Sequence, residues 1–182
     1  MNYCGLKKSD IANGEGIRTT VFVSGCRNRC EGCFQPETWD FGYGAPFDEA
    51  VISEIFNTME NPSVRGLTVL GGEPMEPENQ EGLLPFLRLF KEKFPVKNVW
   101  LYTGYLYEEL VGDIPSEKRI GITDELLSYV DILVDGRFVK SKYRLGLRFR
   151  GSENQRIIDM NKTREAGNIV IWDGVRLDRE YK

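Results

Sequence analysis

Two hydrophobic periods alternate along the chain and predict strands separated by helices. Short apolar runs without regular polar positions indicate buried strands, whereas apolar residues three and four positions apart indicate amphipathic helices. The predicted strands are Ile17–Gly25, which runs out into a loop, Gly66–Leu70, Val99–Tyr102 and Asp131–Asp135. The predicted helices are Pro46–Met59, Gly82–Phe94 and Tyr107–Val111, and a further segment near Asp124–Tyr129 precedes the last predicted strand.

This order of elements predicts an α/β fold with a mainly parallel sheet, because apolar strands separated by helices form βα units. Right-handed crossovers place the loops that follow parallel strands at one edge of the sheet. The 182 residues predict a single domain, residues 1–182, which is too short for a closed eight-unit barrel of about 250 residues. The tail, residues 161–182, contains Ile169–Trp172, which predicts an extra edge strand without indicating a role.

Composition excludes several kinds of chemistry. The chain has no histidine, which rules out a Ser-His-Asp triad, a Cys-His nucleophile pair and a Cys2His2 zinc site. Because histidine is also the usual proton shuttle near neutral pH, catalysis here must use carboxylates, lysine, a cofactor or radicals. The absence of histidine therefore favours chemistry supplied by a cofactor.

Charge and hydropathy limit the kinds of partner and the cellular compartment that we expect. The formal net charge of −4 argues against nucleic acid as a partner. No long uncharged apolar run and no signal peptide pattern is present, so we expect neither a membrane span nor secretion. The chain has four cysteines, and three of them are clustered, which is unlike a secreted disulfide framework. These features predict a protein of the reducing cytoplasm.

Three of the cysteines, Cys26-x3-Cys30-x2-Cys33, directly follow the first predicted strand. A structural zinc site and an ordinary four-iron cluster each use four protein ligands. Three thiolates would leave one iron of a [4Fe-4S] cluster open to a small molecule. The spacing therefore predicts a cluster that takes part in chemistry. A zinc knuckle completed by Cys4, or three unrelated thiols, is the alternative interpretation.

A second motif, Gly71-Gly72-Glu73-Pro74, follows the next predicted strand. Two glycines allow a close approach of the backbone to a ligand, and Glu73 supplies a carboxylate. Pro74 stiffens the segment that leaves the turn. Such a tetrapeptide is often a plain strand-to-loop turn. Its position one βα unit after the cysteine loop makes it a candidate binding element.

Together the two motifs resemble those of the radical S-adenosylmethionine superfamily. The runs Asn13–Arg18 and Phe22–Cys26 are similar to the activating enzymes of glycyl radical enzymes. Further similarity, to the activators of anaerobic ribonucleoside-triphosphate reductase, lies in Cys30–Phe34, Thr38-Trp39, Val134–Phe138 and Arg150–Gln155. The resemblance extends from about Tyr3 to Ile158. It implies an incomplete, laterally open (β/α)6-type radical enzyme barrel, whose open side admits a large protein substrate.

The resemblance also implies a reaction and its partners. Cys26, Cys30 and Cys33 would hold a [4Fe-4S] cluster, and S-adenosylmethionine would chelate the open iron. One electron, from a reduced flavodoxin-like donor, would cleave the sulfonium to methionine and a 5'-deoxyadenosyl radical. That radical would take a hydrogen atom from a glycine in the glycyl radical subunit of the reductase. No acid–base residue is needed, so no catalytic residue is expected beyond the cluster and cofactor.

Cofactor-binding residues follow from the same resemblance. Gly71, Gly72, Glu73 and Pro74 would carry the methionyl amino group, with Glu73 as its acceptor. The others expected near the cofactor are Gly32 and Phe34 at the adenine, and Thr103, Asp135 and Arg137 near its carboxylate and ribose. Asp135 could instead only cap the turn before Gly136.

Two other functions stay open at this point. The first is a radical S-adenosylmethionine enzyme that activates a different glycyl radical enzyme or acts on a small molecule. The second is a non-catalytic iron–sulfur or zinc module, which would need four protein ligands and would not respond to S-adenosylmethionine.

Overall fold

The computed structural model describes residues 1–174. They form one seven-stranded sheet, and helices connect several of its strands. The strands are β1 (Asn2–Asp10), β2 (Ile17–Val23), β3 (Ala45–Pro46), β4 (Val64–Gly71), β5 (Asn98–Tyr102), β6 (Ile132–Asp135) and β7 (Arg156–Asp159). Their order across the sheet is β3-β1-β2-β4-β5-β6-β7. The α/β class predicted from the hydrophobic pattern is confirmed.

The middle of the sheet is parallel and its edges are antiparallel. Strands β2, β4, β5 and β6 pair in parallel, and most of their residues are buried. The hairpin partner β1 runs antiparallel to β2, and β7 runs antiparallel to β6. The mainly parallel character therefore holds for the four central strands. The (β/α)6-type open barrel stays a prediction.

The α-helices of the described residues are α1 (Glu49–Met59), α2 (Pro77–Lys93), α3 (Tyr107–Val111), α4 (Thr123–Ser128) and α5 (Met160–Ala166). Helix α1 begins three residues later than predicted, because the Asp48 side chain accepts hydrogen bonds from the backbone of Ala50 and Val51. Helix α2 begins at Pro77, five residues before the predicted start. Its first turn is polar, so the apolar period did not reveal where the helix begins. The helix also contains Pro85 in its interior.

Alternate residues of the central strands enter two separate apolar clusters. Val99 and Leu101 of β5 belong to the main core, which the helices cover, whereas Trp100 points to the opposite face. There Trp100 packs edge-on against Trp172 and Phe149, with ring centroids 5.2 and 5.4 Å away. The second face of the sheet therefore has a small aromatic cluster in place of a helical layer.

The tail forms less regular structure than predicted. Ile169–Trp172 is not a strand: the segment touches β7 through one antiparallel bridge, Ile158 to Ile171, flanked by two backbone hydrogen bonds. Trp172 is drawn into the aromatic cluster, which ends the pairing. Residues 175–182 of the predicted extension lie outside the described residues. Among residues 1–174, no helix has the length and apolarity needed to cross a membrane.

Candidate cofactor and metal site

A cavity of about 480 Å³ lies at the carboxyl ends of the parallel strands, on the face that carries the aromatic cluster. Loops after all four parallel strands contribute to it, as the common direction of the strands requires. The predicted site residues that line the cavity are Cys26, Cys30, Gly32, Cys33, Phe34, Gly71, Gly72, Glu73 and Thr103. Pro74, Asp135 and Arg137 are not among its lining residues.

The two glycines after β4 fit against the cysteine loop. A Cβ on Gly72 would lie 2.6 Å from the carbonyl oxygen of Gly25, and one on Gly71 would lie 2.7 Å from Val23. The Gly72 N–H donates to Val23 O at 2.7 Å, and the Glu73 N–H donates to Gly25 O at 2.9 Å. Glycine is thus required here because two backbone segments touch. The sequence predicted that these glycines allow a ligand to approach the backbone closely. In the structure, the segment that approaches them is the start of the cysteine loop.

Replacing Gly72 with alanine is expected to destabilise the fold by about 2 kcal/mol, as overpacked sites do. The new methyl group would collide with backbone, which cannot rotate away as a side chain can. Urea unfolding of the variant and the wild type, both under anaerobic conditions, measures the difference. Gly121→Ala is the matched control, since a Cβ there would meet no neighbouring group within 4 Å, and it should change stability by less than about 0.5 kcal/mol. Equal stabilities for the Gly72 variant and the control would contradict the contact.

Glu73 is the most heavily bonded carboxylate of the site. Its Oε1 accepts from Thr103 Oγ1 at 2.7 Å and from the Met75 N–H at 3.0 Å. Its Oε2 accepts from the Gly104 N–H at 2.7 Å and from Asn28 Nδ2 at 2.9 Å. Glu73 is only 1% exposed, and burial raises its pKa to about 7 against the lowering effect of these hydrogen bonds. One carboxylate therefore joins the cysteine loop to the ends of β4 and β5.

Asn28 is a site residue that the sequence analysis missed. It lies between the first two of the three clustered cysteines and lines the cavity. Its Nδ2 donates to Glu73, and its Oδ1 accepts from Arg137 Nη2 at 2.8 Å. The amide thus connects a buried anion to a cation at the edge of the cavity. The only sequence signal was its place within the cysteine motif, because its partners lie 45 and 109 residues away.

Asp135 is fully buried and is bonded within the protein. It forms an ion pair with Arg156, which also pairs with Glu108 at 2.6 Å, and it accepts from the Tyr107 N–H at 2.8 Å. Asp135 therefore fixes the start of α3 and joins it to β7. Its neighbour Gly136 lines the cavity in its place. The carboxylate thus supports the site from behind.

A second network holds the cysteine loop from outside. The backbone N–H of Arg27 donates to Glu76 Oε1 at 2.8 Å, and the guanidinium donates to Glu76 Oε2 at 2.6 Å. Lys118 Nζ donates to the same oxygen at 2.7 Å. Burial acts to raise the pKa of Glu76, but the hydrogen bonds from Lys118 and Arg27 outweigh it and the net shift is downward. The charged Glu76 therefore anchors the loop to the start of α2.

The three clustered cysteines share the cavity, and the fourth cysteine does not. Cys26, Cys30 and Cys33 are half-buried free thiols that all line it. Cys4 lies on β1, with its Sγ 4.0 Å from Val23 O, which gives no support to a zinc knuckle completed by this residue. Within residues 1–174, no three potential ligand side chains are gathered closely enough to hold a metal ion as they stand.

The chemistry of this donor set fits a metal group that uses three thiolates. Burial raises the pKa of Cys26 to about 11, and it also raises that of Cys30, although the Arg137 cation acts in the opposite direction. Both thiols therefore carry protons at neutral pH when no metal is bound. Because only thiolates ligate iron, metal binding must displace these protons.

Comparison with known proteins identifies the class. Residues 12–158 match the model of a family described as "4Fe-4S single cluster domain". This span contains all three clustered cysteines and the strands β2 to β6, with most of β7, but not β1. The chain therefore belongs to a family of iron–sulfur proteins with a single four-iron cluster.

The curated relatives define the family more narrowly. Each of the following is named anaerobic ribonucleoside-triphosphate reductase-activating protein. The protein of Pasteurella multocida is 40% identical over 157 residues, which cover 85% of this chain and 95% of the relative. That of Haemophilus influenzae is 39% identical, with 85% and 96% covered, and that of phage T4 is 36% identical, with 86% and 93% covered. The chain belongs to the family of anaerobic ribonucleoside-triphosphate reductase-activating proteins.

Proposed function

We propose that this chain is an enzyme that generates a glycyl radical on anaerobic ribonucleoside-triphosphate reductase by reductive cleavage of S-adenosylmethionine. The observation that supports this best is the cavity at the strand ends. It brings together three of the four cysteines, a glycine turn and a buried carboxylate. The names of the relatives supply the reductase as the partner.

Cys26, Cys30 and Cys33 would hold three irons of a [4Fe-4S] cluster, and the open fourth iron would take the amino and carboxylate groups of S-adenosylmethionine. When bound and reduced, this pair of cofactors supplies the 5'-deoxyadenosyl group that accepts a hydrogen atom from the α-carbon of the target glycine. The hydrogen atom passes as a whole, so no side chain has to gain or lose a proton. A site without histidine suits this reaction.

Gly71, Gly72, Glu73 and Pro74 form the proposed subsite of the methionyl amino group. All four hydrogen-bond positions of Glu73 already have donors in the protein. Its contribution is therefore a carboxylate behind the glycine turn that is about half ionised at neutral pH, because its pKa is about 7. Thr103, one of these donors, also lines the cavity and keeps the charge oriented.

The adenine would lie between the cysteine loop and the segment after β6. Phe34 and Phe138 both line the cavity, and their ring centroids are 6.4 Å apart. Gly32 lines the same wall with a φ of +76°, a conformation that favours glycine. Arg137 extends to the cavity edge through Asn28, where it can attract the cofactor carboxylate, and buried Asp135 supports this wall.

The proposed enzyme needs one electron for each cleavage. A reduced flavodoxin-like protein of the cytoplasm is the proposed donor. Cys26, Cys30 and Cys33 are half-buried, so the cluster that they would hold would lie near the protein surface. The reductase would approach from the open side of the cavity.

The direct test uses the reconstituted, anaerobic protein. With dithionite and S-adenosylmethionine, we expect it to release 5'-deoxyadenosine and methionine, measured by chromatography. With the reductase added, an organic radical signal should appear by electron paramagnetic resonance. A fully loaded, reduced protein that releases no 5'-deoxyadenosine with the reductase present would contradict the proposal. Cleavage without a radical on the reductase would point to another substrate.

A further inference from the structure

The segment that follows β6, residues 137–150, is strongly basic, and we call it the basic strap. It contains six cationic side chains and no acidic one: Arg137, Lys140, Lys142, Arg144, Arg148 and Arg150. The whole chain, in contrast, has a formal net charge of −4. The strap is thus a local concentration of positive charge on an acidic protein.

The strap lies beside the cavity and exposes apolar side chains there. Phe138, Leu147 and Phe149 line the cavity, whereas Leu145 is 88% exposed. Phe34, whose ring centroid lies 6.4 Å from that of Phe138, is 86% exposed. Exposed apolar groups with a charged border are typical of surfaces that bind another protein. Any polypeptide that enters the cavity from this side must pass along the strap.

Contacts inside the protein neutralise only part of this charge. Lys140 pairs with Glu31 at 3.1 Å and Arg144 with Glu153 at 3.5 Å, but both pairs are well exposed and therefore weak. In the part of the chain that the structure describes, the ammonium group of Lys142 has neither an ion pair nor a hydrogen bond. The strap therefore keeps a positive potential toward solvent.

We propose that the basic strap docks the substrate polypeptide, through an acidic surface that contains apolar side chains and flanks the target glycine. This inference rests on the proposed function, because it takes the reductase as the substrate. The strap borders the cavity in which the glycine must react, so a protein that only delivers electrons has no need to cover it. Opposite charge would speed the encounter and set the orientation of the partner.

The test compares binding of the reductase by wild type and by the double variant Lys142→Glu/Arg144→Glu. Neither residue lines the cavity, so cleavage of S-adenosylmethionine with dithionite in the absence of the reductase should stay at the wild-type level. Binding measured by biolayer interferometry should weaken about tenfold or more at low ionic strength, and the difference should shrink in high salt. Lys8→Glu/Lys93→Glu is the matched control, because these lysines are similarly exposed and lie away from the cavity.

A second variant tests the apolar part of the surface. Leu145→Ser should weaken binding to a similar extent in low and high salt. Wild-type affinity for the reductase in both strap variants, with cleavage intact, would overturn the docking surface while leaving the proposed function standing. Normal reductase binding with slowed reduction by a flavodoxin-like protein would also overturn it, and would assign the strap to the electron donor. Failure of the wild type to cleave S-adenosylmethionine would instead overturn the proposed function.

Discussion

Replacing Cys30 with alanine is expected to remove the iron–sulfur cluster and, with it, the cleavage of S-adenosylmethionine that we propose. Only three thiols line the cavity, so the loss of one leaves two ligands and no substitute among its lining residues. Loss of an outer-shell partner of a metal ligand typically costs 10- to 100-fold in affinity or activity. Loss of a ligand should cost more than about 100-fold. Iron and sulfide content, the visible absorbance of the cluster and release of 5'-deoxyadenosine measure the effect.

Cys4→Ala is the matched control for this prediction. Cys4 is also a half-buried free thiol, but it lies on β1 and outside the cavity. The variant should keep full cluster content and activity. If Cys4→Ala lost the metal while Cys30→Ala retained it, the non-catalytic module with a different ligand set would replace the present proposal.

Replacing Glu73 with alanine is expected to destabilise the folded protein strongly. It would leave four hydrogen-bond donors without their acceptor in a region that is almost completely buried. An unsatisfied buried donor costs about 1–3 kcal/mol, so we expect a loss of about 4 kcal/mol in the free energy of unfolding. Urea unfolding measures this loss, and Glu81→Ala, at an exposed carboxylate of α2, is the control.

Glu73 also gives stability a defined dependence on pH. Its pKa rises from an ordinary value of 4.5 to about 7 on folding. Protonation of Glu73 therefore stabilises the folded state. This stabilisation is complete below pH 4.5 and is lost as the pH rises through about 7. Glutamine does not titrate, so wild type should lose about 3 kcal/mol relative to Glu73→Gln between these pH values. Urea unfolding of both proteins at pH 5 and pH 8 measures the change; an unchanged difference would contradict the shift.

The sequence revealed the parts of the site that lie close together along the chain. The three spaced cysteines and the glycine turn directly follow strands, and parallel strands bring the loops that follow them to one edge of the sheet. The cavity contains both motifs, together with Thr103 after the next strand. The α/β class was predictable as well, because each central strand contains a short apolar run, such as Val21–Val23 in β2 and Ile132–Val134 in β6.

Other parts depend on contacts that no local pattern records. Asn28 bonds to Glu73 and Arg137, and Asp135 pairs with Arg156. Asp135 lies on β6 and Arg156 lies on β7. Whether the Asp135 carboxylate contacts a ligand or this arginine therefore depends on the pairing of the two strands. The antiparallel edge strand β7 was missed because only two of its four residues are apolar, whereas three of four are apolar in β6, which is equally short.

The arrangement of the core has a consequence for repair of the protein. None of the three clustered cysteines belongs to the main apolar core, which is built from the sheet and the helices that cover it. Zinc fingers, in contrast, unfold when their metal is removed. Here, damage to the cluster by oxygen should leave the polypeptide folded, with its empty loop still hydrogen-bonded to Gly72 and Glu73. A cell could then restore the protein by delivering new iron and sulfide, without synthesising a new chain.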